Sequence, residues 1–510
     1  MSIVGTIKSW FTKGGVAMGM IKTLSAITDD PRISIDSNEY DRIKRDFKYY
    51  SDDYPKRHYL DVKGIKRERE FNSINVTKRA AQRIASIVFN EQCEISFKDT
   101  NVDQYLEQVL ESNDFYNLFE QNLEKGIVAG GFAMRPYVDD DQIKIAWVRA
   151  NQFYPLRSNT NHISEASIAS RTTQTENGQN VYYTLLEFHQ WTKYDNKSYY
   201  LITNELYRSD QPNIVGNQVN LSRVYPDLQP QVIMAGDAMV QPLFSYFRMP
   251  GANNISLESP LGIGIVDNSR HTLNNLNLTH DSFMWEIRNG KRTTIVPAEM
   301  IKFDEAHQAT WDTDTDAYVA MYGDSFEPKD ITNDIRVQQF TDSMNAWLRE
   351  FEGNVGLSTG TFSYNASNGM QTATEVVSEN STTYQTRSSI LTNVTKAIND
   401  LCVAILELAG SAQLFSTGTP QFDIGQLDLN DIGLNVHYDD GVFVDKDKQM
   451  DEDLKNVVAG TLSKQTFLQR NYGLSDKDAQ KELQLIQQET ADSQPPMQAD
   501  EAAFSNQGDE

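Results

Sequence analysis

Between Asp330 and Gly410 apolar residues recur at helical spacing, stop over a stretch without a single charge, and then resume. Val337, Phe340, Met344, Trp347 and Phe351 alternate at three and four, which puts them on one face of a helix over 331–352, with Gly353 as its stop. Residues 354–371 read NVGLSTGTFSYNASNGMQ, rich in the Gly, Ser, Thr and Asn that populate turns, and predict a loop. Thr372 and Glu375 then match a capping box, and Leu391, Val394, Ile398, Leu401, Ile405 and Leu408 carry a second helix to a C-cap at Gly410. A helix over 372–409 would span about 57 Å at 1.5 Å per residue. The loop, at about 18 residues, is three or more times the usual connection, and loops of that length tend to be functional.

The remaining pattern is less regular. Ile3, Val4, Ile7, Trp10 and Phe11 form a short apolar stripe, read as packing against the protein body or a neighbouring subunit and not as a membrane helix. A helix near 75–90 turns Ile84, Ala85 and Val88 inward, and 105–125 reads as another. Gly126, Gly130 and Gly131 lead into a β region; no Gly-Lys-Ser/Thr follows, so close packing is expected there and not a phosphate loop. Alternating runs at 143–148, 181–191 and 199–207, separated by Asn and Gly clusters, predict an antiparallel sheet. Val266, Ser269, Leu273, Leu276, His280, Phe283 and Ile287 predict a helix over 262–289 ending at Gly290, with His280 a packed residue and no ligand. Strand-like 292–296 and 318–321 flank an acidic middle, so a small mixed module sits between two helices able to lie side by side. Past Gly410, strands are expected within 422–438 and short helices over 446–488 with a break at 471–473. The polar, acidic end of the chain lacks Lys and Arg and is expected to be disordered.

Charge narrows the function. Against 46 Lys plus Arg stand 71 Asp plus Glu, a net charge of -25, which opposes a general polyanion-binding role. The most basic region, Lys56, Arg57, Lys63, Lys66, Arg67, Arg69, Lys78, Arg79 and Arg83, is interleaved with acids and reads as a solvated hairpin and helix with paired charges. Cys93 and Cys402 are far apart and predict buried thiols without a disulfide. No run of about 18 apolar residues and no signal-peptide pattern occurs, so no membrane role is expected.

Chemistry is hard to find. There is no Walker A loop, zinc motif, cysteine pair at metal spacing, nucleophile elbow or dinucleotide fingerprint, so no catalytic, cofactor-binding or metal residue is assigned. Asp312, Asp314 and Asp316 resemble the start of a calcium loop, but Ala317 and Gly323 stand where Gly and Glu are required.

The order helix, Gly-Leu-Ser-Thr-Gly-Thr-Phe loop (Gly356 to Phe362), and Thr-Ala-Thr-Glu-Val-Val-Ser-Glu-Asn (Thr372 to Asn380) leading a long helix resembles the portal proteins of tailed bacteriophages, in the branch from phages of Gram-positive hosts. The resemblance covers nearly the whole chain. It implies an α+β subunit of a ring, with twelve copies around one channel at the capsid vertex of the virion, assembled in the host cytoplasm. It divides the chain into an N-terminal and wing region (1–261), a first stem helix (262–289), a clip (290–329), a second stem helix (330–353), a tunnel loop (354–371), a long wing helix (372–410), wing strands (411–445), a helical crown (446–488) and an acidic tail (489–510). Ser358, Thr359, Thr361, Phe362, Ser363, Tyr364, Asn365 and Asn368 would face DNA, with Phe362 and Met370 packed between neighbouring loops. Asp304, Glu305, Asp312, Asp314 and Asp316 would dock partners. Those partners are the terminase large subunit, head-completion or adaptor proteins, the major capsid and scaffolding proteins, and double-stranded DNA moving through the channel; no membrane and no cofactor is implied. Twelve copies at -25 each would surround the channel with roughly -300 of charge, which repels phosphates and lets duplex slide. Two other readings stay open from residues alone: a metal-dependent nuclease with scattered carboxylates, and a plain capsid or scaffold protein.

Overall fold

A computed structural model of the chain describes residues 22–60, 64–236, 239–290, 293–297, 317–321, 329–330, 334–364, 380–425, 427–438, 446–474 and 476–492. Two compact units divide it, Met1–Asp439 and Asp440–Glu510.

The first unit opens with β1 (Thr23–Leu24), α1 (Ser37–Ser51), the hairpin β2 (Arg57–Leu60) and β3 (Lys66–Arg69), α2 (Val76–Val88), β4 (Glu94–Phe97), α3 (Thr100–Ser112) and α4 (Phe115–Ala129). Its β half follows as β5 (Gly131–Asp139), β6 (Gln142–Arg149), β7 (Phe153–Asn159), β8 (His162–Glu176), β9 (Gln179–Tyr194), β10 (Lys197–Ser209), β11 (Gly216–Val219), β12 (Gln231–Ala235) and β13 (Ser245–Arg248). Strands β1-β11-β10-β9-β8-β7 form one antiparallel sheet, and β12 pairs with the start of β10. β13-β5-β6 form a second, separate sheet.

The predicted strands 181–191 and 199–207 therefore share a sheet, whereas 143–148 belongs to the other one. The Asn and Gly clusters between runs are tight turns. Asn177-Gly178 and Asp195-Asn196 both take positive φ, the twist that two-residue hairpins need, and Asp140-Asp141 does the same between β5 and β6.

The helix expected over 105–125 is two helices. Asn113 breaks it: its side-chain amide donates to the carbonyls of Val109 and Ile143, its carbonyl accepts from Ile145 N–H, and Asp114 adopts φ 48°. An asparagine that bonds the edge of β6 serves the chain better there than a helical one.

The helix expected from 262 begins later, as α5 (Arg270–Asn289). Residues 262–265 instead cross the end of α4 backbone to backbone, with Ile265 N–H donating to Ile127 O at 3.0 Å. A Cβ on Gly264 would lie 1.7 Å from Val128 O, and one on Gly130, at φ 92°, would lie 2.2 Å from Gly262 O. Close packing, not phosphate binding, accounts for these glycines.

Strands β14 (Thr293–Pro297), β15 (Ala317–Met321) and β16 (Lys329–Asp330) form a small sheet in the order β15-β14-β16, parallel on one side and antiparallel on the other. Helix α6 (Val337–Val355) then runs through Gly353, the predicted stop, and ends at Gly356, whose φ of 74° supplies the left-handed cap. Helix α7 (Ser381–Ala409) is the described part of the long helix, about 43 Å at 1.5 Å per residue; its predicted start at Thr372 and Glu375 lies outside the described residues.

Along α7 one face is buried as predicted, and from Leu401 to Ala409 every side is. It lies over β5 and β13: Ser245 donates to Ala397 O at 2.6 Å, and Asn393 donates to Arg248 O at 2.8 Å. By length and composition this helix could cross a membrane, but its apolar surface is packed inside the protein. Gly410 ends it in a right-handed conformation, and a Cβ there would meet the tip of the Ile424 side chain at 2.7 Å, which would have to shift. Cys93 and Cys402 are buried and form no disulfide, and burial pushes the Cys402 thiol well up.

The return strands expected over 422–438 reduce to β17 (Leu434–His437), which pairs with β4 and not with either large sheet. The second unit contains α8 (Lys446–Val458), α9 (Lys464–Tyr472) and α10 (Asp476–Asp492), with Gly473 at φ 65° making the predicted break. Buried Asp453 accepts from Arg470 at 3.2 Å and Asn471 at 3.0 Å, tying α8 to α9. The expected tail is helical as far as Asp492.

Candidate functional site: a paired-helix stalk and an uncharged loop

Helices α5 and α6 run side by side and antiparallel. At one end Thr272 donates to Glu350 at 2.7 Å; further along, the Phe283 and Phe340 rings lie 5.1 Å apart; at the other end Arg336 bonds Glu286. Burial fades along the pair. Leu273, Leu276, Leu348 and Phe351 are buried, while Leu278, Met284, Ile287 and Val337 are exposed. The fade follows from depth: the first group sits against the body and the second beyond it.

The basic hairpin β2–β3 docks on this stalk. Arg69 grips Asp281 with both guanidinium arms at 2.6 and 2.7 Å, and Asn72 N–H adds a third bond at 3.0 Å. Burial alone would raise the Asp281 carboxyl, but the Arg69 bonds outweigh it and hold it below its ordinary value. Arg69 also lies over Trp285, Lys56 pairs with Glu70, and Lys78 with Glu124. The paired-charge reading of this region fits that geometry. His280, predicted as a packing residue, is half-buried with its ring nitrogen Nδ1 3.0 Å from Asn72 O.

Past Gly356 the loop folds back on the helix it left. Glu352, fully buried, is the organising group. One carboxylate oxygen accepts from the N–H groups of Phe362 and Ser363 at 2.5 and 2.7 Å; the other accepts from Gly360 N–H at 3.1 Å and from the Ser363 hydroxyl at 2.8 Å. Three backbone amides and a hydroxyl thus surround one buried anion, a concave amide nest closed by the chain on its own carboxylate. Gly360 takes φ 98°, the conformation that turns its amide inward.

The loop is also tied to the long helix. Ser358 N–H donates to the Thr383 hydroxyl at 2.9 Å and Thr383 donates back to the Ser358 hydroxyl at 3.0 Å. A Cβ on Gly356 would meet Thr386 Oγ1 at 2.2 Å, so α7 presses directly on the turn.

The predicted channel residues divide accordingly. Ser358 and Ser363, 4% and 5% exposed, face inward with their hydroxyls engaged, and so hold the loop together and present no surface. Thr361 caps the turn, donating to Ser358 O at 2.6 Å. Phe362 is half-buried, with Arg79 of α2 5.4 Å from its ring centre. Thr359 and Tyr364 are exposed, Tyr364 at 78%, its backbone held by Asn345 and, at 3.4 Å from its carbonyl, by the Arg349 guanidinium. Asn365, Asn368 and Met370, and the acidic residues Asp304, Glu305, Asp312, Asp314 and Asp316, lie outside the described residues.

Glu352, Thr383 and Asn345 were not singled out from the sequence. A trace of Glu352 is visible there: it adjoins Phe351 and precedes Val355 on the buried side of a stripe where an acid has no ordinary place. Among the described residues no group of three or more His, Cys, Asp or Glu could hold a metal ion.

The family described as phage portal protein, SPP1 Gp6-like, matches residues 29–496 of the chain. No curated protein matches it. Among solved structures, the neck of an empty GTA particle computed with C6 symmetry is similar at a TM-score of 0.39 and 11% identity, over 78% of this chain and 88% of that one, too loosely for the fold argument to use. With 29–496 matched, nearly all of the chain, it belongs to the phage portal proteins, ring-forming structural components of the virion at the capsid vertex.

Proposed function

We propose that twelve copies of this chain form a channel for double-stranded DNA, and that the loop after α6 is its collar. DNA enters through it during packaging, is retained, and leaves through it at ejection. The observation that carries this reading is the loop's construction. Among the described residues of the loop the adjoining carboxylate, Glu352, is enclosed by the loop's own amides, and the exposed side chains are those of Thr359 and Tyr364, which carry no charge, while Arg349 donates to the Tyr364 carbonyl at 3.4 Å. A phosphate backbone passing these uncharged side chains meets weak, exchangeable contacts, while the acidic bulk of the ring repels it from the walls.

The module over 290–329, between the two stalk helices, is the docking end. There the terminase large subunit supplies the energy of packaging, since this chain carries no nucleotide-binding motif, and head-completion or adaptor proteins replace it afterwards. Major capsid and scaffolding proteins engage the rest of the ring during assembly in the host cytoplasm. The role is structural, without catalysis.

The test is a particle-assembly assay with Phe362→Ala and Thr359→Ala. The account expects normal rings with reduced packaging or leakage of packaged DNA. Wild-type packaging and retention in both variants would remove the loop from the mechanism.

A further inference from the structure

One cleft stands apart from the stalk and the loop. It has a volume of about 630 Å³ and lies among the second half of α1, the middle of α4 and the end of β6. Lys44, Lys48, Lys125 and Arg149 line it together with Phe47 and Trp147. None of its eleven lining residues is acidic, in a chain where acids outnumber bases by 71 to 46. Nor, among the described residues, are its cations neutralised from elsewhere. Lys48 has no side-chain partner among the described residues, Lys125 reaches only the Asn122 amide at 3.5 Å, and Arg149 only the Gln152 amide at 3.1 Å. Lys44 has a long, exposed contact to Asp41 at 3.5 Å. Glu124 nearby is already taken by Tyr50 and Lys78. The indole N–H of Trp147, at the cleft, is a buried donor without a hydrogen-bond partner among the described residues. Such a surface is made for an anionic partner.

The complementary surface is on the same chain. The β5–β6 hairpin carries the cleft at Arg149 and, about 24 Å away along β6 at 3.4 Å per residue, an acidic tip at Asp139–Asp141. The tip is bonded to the segment after α7 through Ser416 and Gln421. Through Gln421 the tip is joined to Tyr105 of α3, and α3 and the β4–β17 pair with its preceding loop carry exposed Glu94, Glu107, Asp428 and Asp431, with Lys98 beside Gly433 and no ion pair to any of the four among the described residues.

We infer that the basic cleft of one copy receives the acidic face around β4 and α3 of the next copy in the ring. A closed ring is built from heterologous contacts, in which two different faces of one chain must fit each other. The β5–β6 hairpin, with the basic cleft at one end and the acidic tip at the other, has the polarity such a contact needs. The inference rests on the ring reading. It adds which surfaces meet and that charge selects the order of the subunits.

The experiment is native mass determination with light scattering on the full-length chain in four forms: wild type, Lys48→Glu with Lys125→Glu, Glu94→Lys with Glu107→Lys, and all four changes together. Each pair of reversals should lower the ring fraction at least tenfold. The four-fold variant, and an equimolar mixture of the two paired variants, should restore it, because every contact is again between opposite charges. Rings at the wild-type level in either paired variant would overturn the inference. So would failure of both the four-fold variant and the mixture to restore rings when circular dichroism shows folded chains. If the cleft reversal leaves rings intact but abolishes binding of a labelled duplex oligonucleotide, the cleft belongs to nucleic acid and the inference is wrong. Absence of rings in the wild type would instead fault the ring reading itself.

Discussion

Glu352 shows what a buried charge can do when nothing mobile balances it. Among the described residues its carboxylate meets no cation, only amides and a hydroxyl fixed by the turn it organises. Removing it should therefore loosen the loop and not merely weaken one contact. Glu352→Gln keeps the shape but sets a donor against donors, and should lower stability by about 1–3 kcal/mol, read by thermal melting. An unchanged melt would mean that the loop holds its form without the anion. Glu407 makes the opposite case. Buried in α7, it accepts from Val240 N–H at 2.6 Å, yet its second oxygen has no partner, and burial, opposed only by two backbone bonds, raises the carboxyl to about 7. The folded state thus binds a proton that the unfolded chain, near 4.5, releases. Its contribution is fully present below the unfolded value and is lost as pH rises toward 7. Glu407→Gln should shed that dependence: between pH 5 and 8 its stability relative to wild type should rise by up to about 3 kcal/mol in chemical denaturation at each pH. A constant difference would place the proton elsewhere.

At the scale of elements, much was legible because period and punctuation agreed. The stripe from Leu391 to Leu408, the strands over 181–207 and the pair of helices flanking a small module are strong repeats bounded by turn residues, and each is present. What periodicity could not show is where a contact far along the chain overrides it. The Val266 and Ser269 positions fit the helical stripe, yet the chain is not helical before Arg270, because Gly262 and Gly264 are needed against the backbone of α4. Asn113 fits a helix until Ile143 and Ile145 are brought beside it. Gly353 looked like a stop, but Gly356 has the closer partner in Thr386. The candidate site divides in the same way. That the uncharged segment is a special loop could be read from its composition, whereas which residues face inward depended on Glu352 and Thr383. Gly264→Ala should cost more than about 1 kcal/mol in denaturant titration, since no side chain can yield to a Cβ that meets a carbonyl; a neutral effect would mean that the crossing is loose. Along the stalk, Phe351→Ala should cost about 3–5 kcal/mol. Arg336→Ala, at the exposed end, should leave the melting temperature almost unchanged, because water screens its pair with Glu286.

For the whole molecule, sequence and structure describe a subunit incomplete by itself. Leu278, Met284, Ile287 and Val337 are exposed apolar side chains on the stalk, and among the described residues the cleft at Lys48 and Lys125 is an unneutralised positive site in a chain of net charge -25. A ring explains both, since neighbours would cover these side chains and supply the missing charge. The central claim is that copies of this chain enclose a channel for DNA. Its most direct test is electron microscopy with mass determination on the purified full-length protein. The account predicts closed rings of about twelve copies with a central opening wide enough for duplex DNA. A folded protein that stays monomeric or dimeric at high concentration and also inside assembled particles, or rings without an opening, would contradict it.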